Sequence, residues 1–345
     1  MLMPSGTKIA YHPAELPPPG ELATLAPGVH WLRMPLPFAL DHINLWVLDE
    51  DDGCTLVDCG LARDDTRAAW EAVFSNPAFK GPVRRIIVTH FHPDHIGLAG
   101  WLSERWGVPI AMTQAEWLSG RMISLDTTET YVEQQLAFFR AAGCAQDFLE
   151  AVRARGNTYV GRISPIPPSF ERLRDLEILR IGGRHWQVLV GRGHAPEHAT
   201  LYCSELGVLI SGDQILPRIS PNVGVWPNEP EAEPLSDFLR SLETFMALPE
   251  NTLVLPSHDR PFRGLHVRLE ALRRHHEARL DDLMGALKDP KTAMQAAPAL
   301  FRRPLDQHQT GFAVAETLAH LHHLRAQGRV ERTREPGAPY RFQRI

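Results

Sequence analysis

Three histidines and one aspartate lie within six residues of one segment: His90, His92, Asp94 and His95. Side chains of these types bind divalent metal ions. The run Arg85–Val88 before them is typical of a short buried strand, and Leu98–Leu102 after them is typical of a helix. Residues two apart at a strand end point the same way, so the segment predicts two adjacent metal sites, one supplied by each half of the motif.

Full coordination needs further donors, because zinc takes about four ligands. Three more apolar, strand-like runs each lead into a residue that can bind metal: His194, Asp213 and His258. Small residues flank His194, which lets the backbone come close. Four strands therefore end in candidate ligands, and a sheet with its ligands at one edge is the simplest arrangement.

These residues resemble the metallo-β-lactamase superfamily. The matching elements follow the family's order across about 200 residues: Asp58 in Val57-Asp58-Cys59-Gly60, the His-x-His-x-Asp-His run, His194, Asp213 and His258. The resemblance implies an α/β fold, a four-layer αβ/βα sandwich of the metallo-β-lactamase type.

The resemblance also implies a role for each residue. One metal is expected to be bound by His90, His92 and His194. The other is expected to be bound by Asp94, His95 and His258. Asp213 is expected to bridge the two metals. Asp58 is expected to brace the ligand loops without binding metal, and Asp94 and Asp213 are the expected catalytic residues. The expected cofactors are two divalent ions, with Zn²⁺ favoured and Mn²⁺ or Fe²⁺ as alternatives.

Asp213 also separates branches of the superfamily. True β-lactamases of this fold generally lack a bridging aspartate there, whereas the chain is similar to the glyoxalase II, lactonase and ribonuclease branches in having one. The flavodiiron branch usually has Glu at the second-histidine position and a flavodoxin domain, and the sequence shows neither. Antibiotic hydrolysis is therefore disfavoured.

Several residues beside the motifs are expected to have no direct part in the chemistry. His198 either contacts substrate or hydrogen-bonds a metal ligand, and the second interpretation is favoured. Glu197 is given no role, and Cys59 is expected to pack rather than to bind metal. Six other histidines are expected to be solvated or hydrogen-bonded only: His185, His275, His276, His320, His322 and His323.

The composition indicates neither a membrane span nor a disulfide framework. The chain is 43% hydrophobic, enough for a substantial core, and no apolar run reaches the roughly 18 residues of a membrane span. Met1–Pro19 lacks a basic start followed by an apolar stretch, so no signal peptide is expected. The four cysteines are widely spread, which favours free thiols in a reducing cytoplasm.

Charge is unevenly distributed along the chain, whose net charge is −5. Residues 266–345 contain 14 Lys and Arg against 9 Asp and Glu, a charge of +5, which leaves −10 for residues 1–265. An acidic body disfavours polyanionic substrates. The small positive excess of the tail is interpreted as ordinary surface charge rather than as a nucleic-acid site.

Residues 1–265 are expected to form the catalytic domain and residues 266–345 a small C-terminal domain. A helical insert at about residues 113–175 is expected to pack near the mouth of the site. The proline-rich stretch 217–234 follows Asp213 and is expected to run irregularly along the rim. Three helices and a hairpin in the tail resemble a winged helix, which follows the sandwich in some metallo-hydrolases of the superfamily.

The favoured function is hydrolysis of a small-molecule ester, thioester or lactone by a hydroxide that bridges two metal ions. The alternative is a phosphodiesterase or endoribonuclease whose tail holds nucleic acid, which would need ordered basic and aromatic side chains. A regulatory DNA-binding tail is disfavoured, because Ala313–Leu321 is apolar and poor in basic residues. We expect a small-molecule substrate, no membrane or nucleic-acid partner, and a tail that serves homodimer formation, packing or pocket closure.

Overall fold

The computed structural model describes residues 8–345. The expectation that Met1–Pro19 is not a signal peptide therefore falls partly on residues 1–7, which lie outside the described part of the chain. The strands, in chain order, are β1 (Ala10–Tyr11), β2 (Ala23–Ala26), β3 (Val29–Pro35), β4 (His42–Glu50), β5 (Gly53–Val57), β6 (Val83–Ile87), β7 (Ile110–Met112), β8 (Glu171–Arg172), β9 (Ile178–Ile181), β10 (Arg184–Gly191), β11 (His198–Cys203), β12 (Val208–Gly212), β13 (Leu253–Pro256), β14 (Phe262–Arg263), β15 (Val330–Thr333) and β16 (Arg341–Arg344).

The helices are α1 (Asp64–Ser75), α2 (Pro93–Ile96), α3 (Ala99–Trp106), α4 (Gln114–Leu125), α5 (Glu129–Ala141), α6 (Gln146–Arg155), α7 (Pro234–Met246), α8 (Leu265–Ala286), α9 (Ala293–Leu300) and α10 (Gln307–Ala326), with a 3₁₀ turn at Val160–Arg162. Local sequence explains several ends. Thr292 and Asp306 each form a capping box that begins a tail helix, which satisfies backbone N–H groups of the first turn. Gly107 ends α3 in the left-handed conformation, which glycine adopts without steric cost.

Two seven-stranded sheets dominate residues 8–345. The first has the order β2-β3-β4-β5-β6-β7-β8, and the second has the order β1-β14-β13-β12-β11-β10-β9. The strands β4 and β5 form an antiparallel hairpin around Glu50–Gly53. From β5 to β8 the pairing is parallel, so the carboxyl ends of these strands lie at one edge.

The sheets and helices form four layers. Side chains such as Trp31, Trp46 and Trp186 fill the space between the two sheets. Trp70 and Leu102, from α1 and α3, pack on the outer face of the first sheet. Helices of the tail, the insert and α7 share one core on the outer face of the second sheet. The predicted four-layer sandwich is confirmed.

The insert and the tail have the predicted elements in the predicted order. Three helices, α4 to α6, occupy the first part of the insert, and residues 217–233 contain no regular element. In the tail, α8, α9 and α10 precede the antiparallel pair β15 and β16. The apolar side chains of the tail belong to the same cluster as those of α5, α6 and the second sheet. The winged-helix resemblance and the boundary at residue 265 stay predictions.

Two expectations from composition concern cysteines and membranes. All four cysteines are buried and free, and none is bonded to another. Across residues 8–345, no helix combines the length and the apolar character that crossing a membrane would require. The cytoplasmic location stays a prediction.

Candidate metal centre

The histidine-rich segment lies at the carboxyl end of β6, between the ends of β5 and β7. His92 has an extended backbone and precedes α2, with Pro93 at the first helical position, where proline is favoured because its missing N–H is not needed. This turn separates His90 and His92 on the strand side from Asp94 and His95 on the helix side. The predicted junction of strand and helix is present.

The second sheet contributes the other three candidate ligands, which follow β10, β12 and β13. Since β12 is parallel to β13 and antiparallel to β11, and β11 is antiparallel to β10, all three strands end at the same edge. Gly193 has a φ of +94°, and a Cβ there would lie 2.4 Å from the carbonyl oxygen of Pro234. Glycine therefore lets the loop that carries His194 pass against α7.

The seven candidate ligands meet in two groups: His90, His92, His194 and Asp213 in one, and Asp94, His95 and His258 in the other. Within each group the ligand atoms lie within 4.8 Å of one another. Asp213 Oδ2 is 3.5 Å from His194 Nε2, and its Oδ1 is 3.3 Å from His258 Nε2. One carboxylate thus contacts both groups, as expected of a bridge. That these residues bind metal stays a prediction.

Hydrogen bonds on the far ring nitrogens orient two histidines of the second sheet. His194 Nδ1 donates to the carbonyl oxygen of Asn222 at 2.8 Å, and His258 Nδ1 donates to that of His42 at 2.9 Å. A carbonyl oxygen only accepts, so each Nδ1 carries the proton and each Nε2 faces the cluster. A metal ion binds imidazole through that second nitrogen.

Asp58 orients the histidines of the first sheet. Its carboxylate accepts hydrogen bonds from His95 Nδ1 at 2.8 Å, from Thr89 N at 2.8 Å and from Thr89 Oγ1 at 2.9 Å. Because the Thr89 hydroxyl donates to Asp58, it accepts from His90 Nδ1 at 3.0 Å. Both rings therefore present Nε2 to the cluster, and Asp58 has the bracing contacts that the resemblance implied.

Two polar atoms at the centre have no hydrogen-bond partner within the described residues: His95 Nε2 and Asp213 Oδ1. They lie 3.6 Å apart. Buried polar atoms are nearly always paired, so this nitrogen and this oxygen are available to a ligand from outside the chain. Imidazole and carboxylate are both ligands of zinc and related metals, and the residues fit divalent metal ions.

The protonation of the cluster also fits cations. Burial lowers the pKa of His92 to about 3, so its imidazole is neutral. Burial disfavours charge on His258 as well, but the carboxylates of Asp213 and Asp94 raise its pKa to about 10. Protons thus balance the buried carboxylates, and a divalent ion that bound here would release them.

The ring of His198 lies behind the cluster and contacts two of its residues. Its Nε2 accepts a hydrogen bond from Asp213 N at 3.1 Å, and its ring stacks on His90 with centroids 4.6 Å apart. These contacts agree with the favoured interpretation of His198 as a partner of ligand residues.

Cys59 is fully buried in the core beside the first sheet, as expected of a packing residue. His276 and His320 are buried and bonded to each other at 3.1 Å.

Glu116 is a functional candidate that the sequence analysis missed. It is buried in α4, and its carboxylate accepts hydrogen bonds from Phe91 N at 3.0 Å and from Glu197 N at 2.6 Å. Phe91 stands between two candidate ligands and Glu197 precedes β11, so Glu116 joins the loops of both sheets. Burial raises its pKa to about 7. In the sequence, Glu116 shares a helix face with Gly120. Such spacing is equally typical of a helix that only packs against its neighbours, so it does not mark Glu116 as functional.

A second missed set connects the tail to His194. Asn222 accepts from His194 through its carbonyl group, and its side chain donates to Glu316 Oε2 of α10 at 3.3 Å. Arg279 of α8 lies 3.1 Å from Glu316 Oε1, and both side chains are largely buried. The tail therefore supports one candidate ligand through a single intervening residue.

A cavity of about 580 Å³ opens beside the first ligand group, with His92 and His194 in its wall. The insert contributes Met122 and Phe139, and the tail contributes Phe312. Its volume and mostly apolar lining are typical of sites for small organic ligands. The predicted positions of the insert and of the proline-rich stretch, at the mouth of the site, agree with this arrangement.

The fold and the His/Asp cluster define a metal-dependent enzyme of the αβ/βα sandwich class. The chain belongs to the metallo-beta-lactamase superfamily, whose family model matches residues 39–258. A second model, the metallo-beta-lactamase-like C-terminal domain, matches residues 280–345. The superfamily is hydrolytic, and the chain is a metallo-hydrolase.

Two solved structures that are similar over nearly the whole chain have the same architecture. A beta-lactamase domain protein from Burkholderia ambifaria is 42% identical, with a TM-score of 0.91 and coverage of 98% of both chains. The metallo-beta-lactamase family protein TTHA1429 from Thermus thermophilus is 36% identical, with a TM-score of 0.80, over 93% of this chain and 100% of the other. The probable metallo-hydrolase YqjP of Bacillus subtilis (strain 168) is 25% identical over 307 residues, 86% of this chain and 92% of its own length.

Proposed function

We propose that the chain is a dinuclear metal-dependent hydrolase of a small-molecule ester, thioester or lactone. The observation that carries the proposal is Asp213, whose carboxylate contacts both ligand groups beside a cavity of small-molecule size. Two divalent ions, when bound, lower the pKa of a shared water and polarise the bond under attack. Zn²⁺ is the expected metal because imidazole and carboxylate ligands suit it.

The chain's own residues have three tasks in this proposal. Hydrogen bonds to Asp58, Asn222 and His42 hold the imidazoles with Nε2 towards the cluster. Asp213 keeps the two groups at a fixed separation. Asp94 exposes 21% of its side chain and lies 3.5 Å from His258 Nε2, which suits a carboxylate that accepts a proton from the attacking water and passes it on.

The contacts of the tail favour this function over the ribonuclease alternative. Twelve of the twenty residues of α10 are buried, and the helix lies against the proline-rich stretch, where Ala315 O accepts a hydrogen bond from Val225 N. A buried helix offers no surface to a nucleic-acid groove. We propose that the tail completes the pocket. Homodimer formation through the tail stays a separate prediction, which analytical ultracentrifugation tests.

The test is a substrate panel with purified protein whose metal content is measured. We expect about two zinc ions per chain and turnover of at least one ester, thioester or lactone, lost with chelator and restored by Zn²⁺. Cleavage of RNA or a phosphodiester instead, with no acyl substrate turned over, would overturn the proposal. Titration with labelled RNA and duplex DNA at low and near-physiological salt provides a second check. Micromolar binding that salt weakens steeply, and that tail substitutions remove, would favour the ribonuclease alternative.

A further inference from the structure

Two arginines line the cavity that also contains His92 and His194. Arg155 is the last residue of α6, and Arg162 ends the 3₁₀ turn that follows it. Within residues 8–345, no carboxylate oxygen lies within 4.0 Å of either guanidinium group. Arg162 instead lies 5.8 Å from the ring centroid of Phe38. Arg155 is exposed and Arg162 is partly exposed, and both line the cavity, so each is placed to bind an anion that enters it.

A third basic group from the tail lies near the same arginines. His308 of α10 lines the cavity, and burial together with the charges of Arg162 and Arg155 lowers its pKa. Burial also lowers the pKa of Arg155, and Arg162 opposes its charge further. Three segments thus bring basic side chains together in a chain whose net charge is −5.

Four carboxylates also line this cavity, and three of them have an ion-pair or hydrogen-bond partner within the described residues. Asp237 lies 3.1 Å from its own partner, Arg240. Asp126 accepts a hydrogen bond from Thr128 Oγ1 at 2.6 Å. Glu233 accepts one from Ser236, while Glu229 makes no hydrogen bond through its carboxylate within the described residues. None of them forms a salt bridge with Arg155 or Arg162.

Apolar side chains complete the lining. Met122 is 51% exposed and Phe312 is 41% exposed, although both are large hydrophobic residues. Trp226 packs edge-on against Phe312 with centroids 5.5 Å apart. Large apolar groups left accessible inside a cavity indicate contact with an apolar part of a ligand.

We propose that the substrate is an amphipathic anion, with a hydrolysable acyl bond at the metal groups, an apolar stem, and an anionic group held by Arg155 and Arg162. The guanidinium group binds carboxylate and phosphate alike through paired N–H donors. This inference rests on the proposed function, since it places the acyl bond at the candidate metal centre.

The first experiment compares p-nitrophenyl esters that share one alkyl stem and differ at its far end. The ends are a carboxylate, a phosphate and a neutral methyl ester. Hydrogen bonds to charged groups contribute about 1.5–3 kcal/mol, so we expect kcat/KM for the better anionic ester to exceed that for the neutral ester by about 10- to 100-fold. Comparison of the carboxylate ester with the phosphate ester shows which of the two anionic groups the cavity prefers.

Arginine variants connect that preference to the cavity wall. Arg155→Met and Arg162→Met should each lower kcat/KM for the preferred anionic ester by about tenfold or more and change kcat/KM for the neutral ester much less. Arg153→Met is the matched control, because Arg153 lies on the same helix but pairs with Glu129 and Glu133. Equal turnover of charged and neutral esters, unaltered by either variant, would overturn the inference and leave the proposed function standing.

A binding measurement separates the inference from the proposed function. Calorimetric titration of the metal-loaded protein with suberate and with an alkyl phosphate needs no turnover. We expect binding of at least one anion, weakened about tenfold or more in the double variant Arg155→Met/Arg162→Met. If no ester is hydrolysed while this binding is present, the proposed function fails and the anion site stands. If the double variant binds both anions as the parent does, the anion site is wrong.

Discussion

The first sheet supplies four candidate ligands from one short stretch after β6, whereas the second supplies three from separate strand ends. The first set is held mainly by side chains of its own sheet, since Thr89 hydrogen-bonds to His90, and Asp58, at the end of the neighbouring strand β5, hydrogen-bonds to His95. The second set is held by distant backbone groups, the carbonyls of His42 and Asn222. One half of the centre is thus built locally, and the other half depends on packing across the molecule.

Asp213 is the point where the two halves meet, and its loss should have the largest effect. Asp213→Ala removes the carboxylate that contacts both groups, so several kcal/mol of transition-state stabilisation should be lost. We expect turnover to fall at least a thousandfold while circular dichroism still shows a folded protein. Asp281→Ala, at an exposed position of α8, is the control. Near-normal turnover in a folded Asp213→Ala protein would show that the bridge is assigned wrongly.

Glu316 tests how far the second half depends on the tail. Glu316→Gln leaves Arg279 largely buried without its charged partner, which costs about 3 kcal/mol when a buried pair is broken from one side. We expect a lower midpoint of urea unfolding, with Glu277→Gln on the exposed face of α8 as the matched control. Metal affinity should fall as well, because Asn222 loses part of its support. Unfolding at the same urea concentration as the parent would contradict this account.

Asp58 tests the local bracing of the first half. Asp58 has a φ of +63°, a conformation that Asn also tolerates, so Asp58→Asn changes the hydrogen bonds with little backbone strain. Loss of a residue that orients metal ligands typically costs about 10- to 100-fold in metal affinity. Competition with a chromogenic chelator measures this, and Asp51→Asn in the exposed hairpin serves as control. A change of less than about twofold would mean that Thr89 alone suffices.

Glu116 connects the halves and should give the smallest effect, visible as a pH dependence. Burial raises its pKa from the ordinary value to about 7 in the folded chain, so the folded state binds its proton more tightly than the unfolded state does. Its contribution to stability is therefore full below the unfolded pKa and is lost as pH rises through about 7. We expect the free energy of unfolding to fall by roughly 1 kcal/mol between pH 6 and pH 8.

Denaturant titrations at several pH values measure how the free energy of unfolding changes with pH. Glu116→Gln should remove the part of this change that comes from Glu116. The variant is the reference because other groups titrate in the same range in both proteins. An identical slope in parent and variant would show that Glu116 does not take up a proton in this range.

The local half of the centre could be predicted from the sequence because its residues lie next to one another. The strand ends before His194, Asp213 and His258 were also visible, since apolar runs and small residues mark them. The sequence did not reveal Asn222 or Glu116. Asn222 acts on His194 through its backbone carbonyl, which every residue has, so the residue type gives no signal. Glu116 is a single buried carboxylate in α4, and nothing in the spacing of the helix distinguishes it from an exposed one. Such contacts depend on how distant loops pack.

The packing of α10 has a consequence for the order of events during synthesis. All seven candidate ligands have been added to the chain once His258 is made, but α10 ends at Ala326. At the usual rate of about 5–20 residues per second, the interval between the two is on the order of ten seconds. During this interval every candidate ligand is part of the chain, but His194 lacks its support from Glu316. The support of His194 through Asn222 and Glu316 is therefore the last part of the candidate centre to be added to the chain.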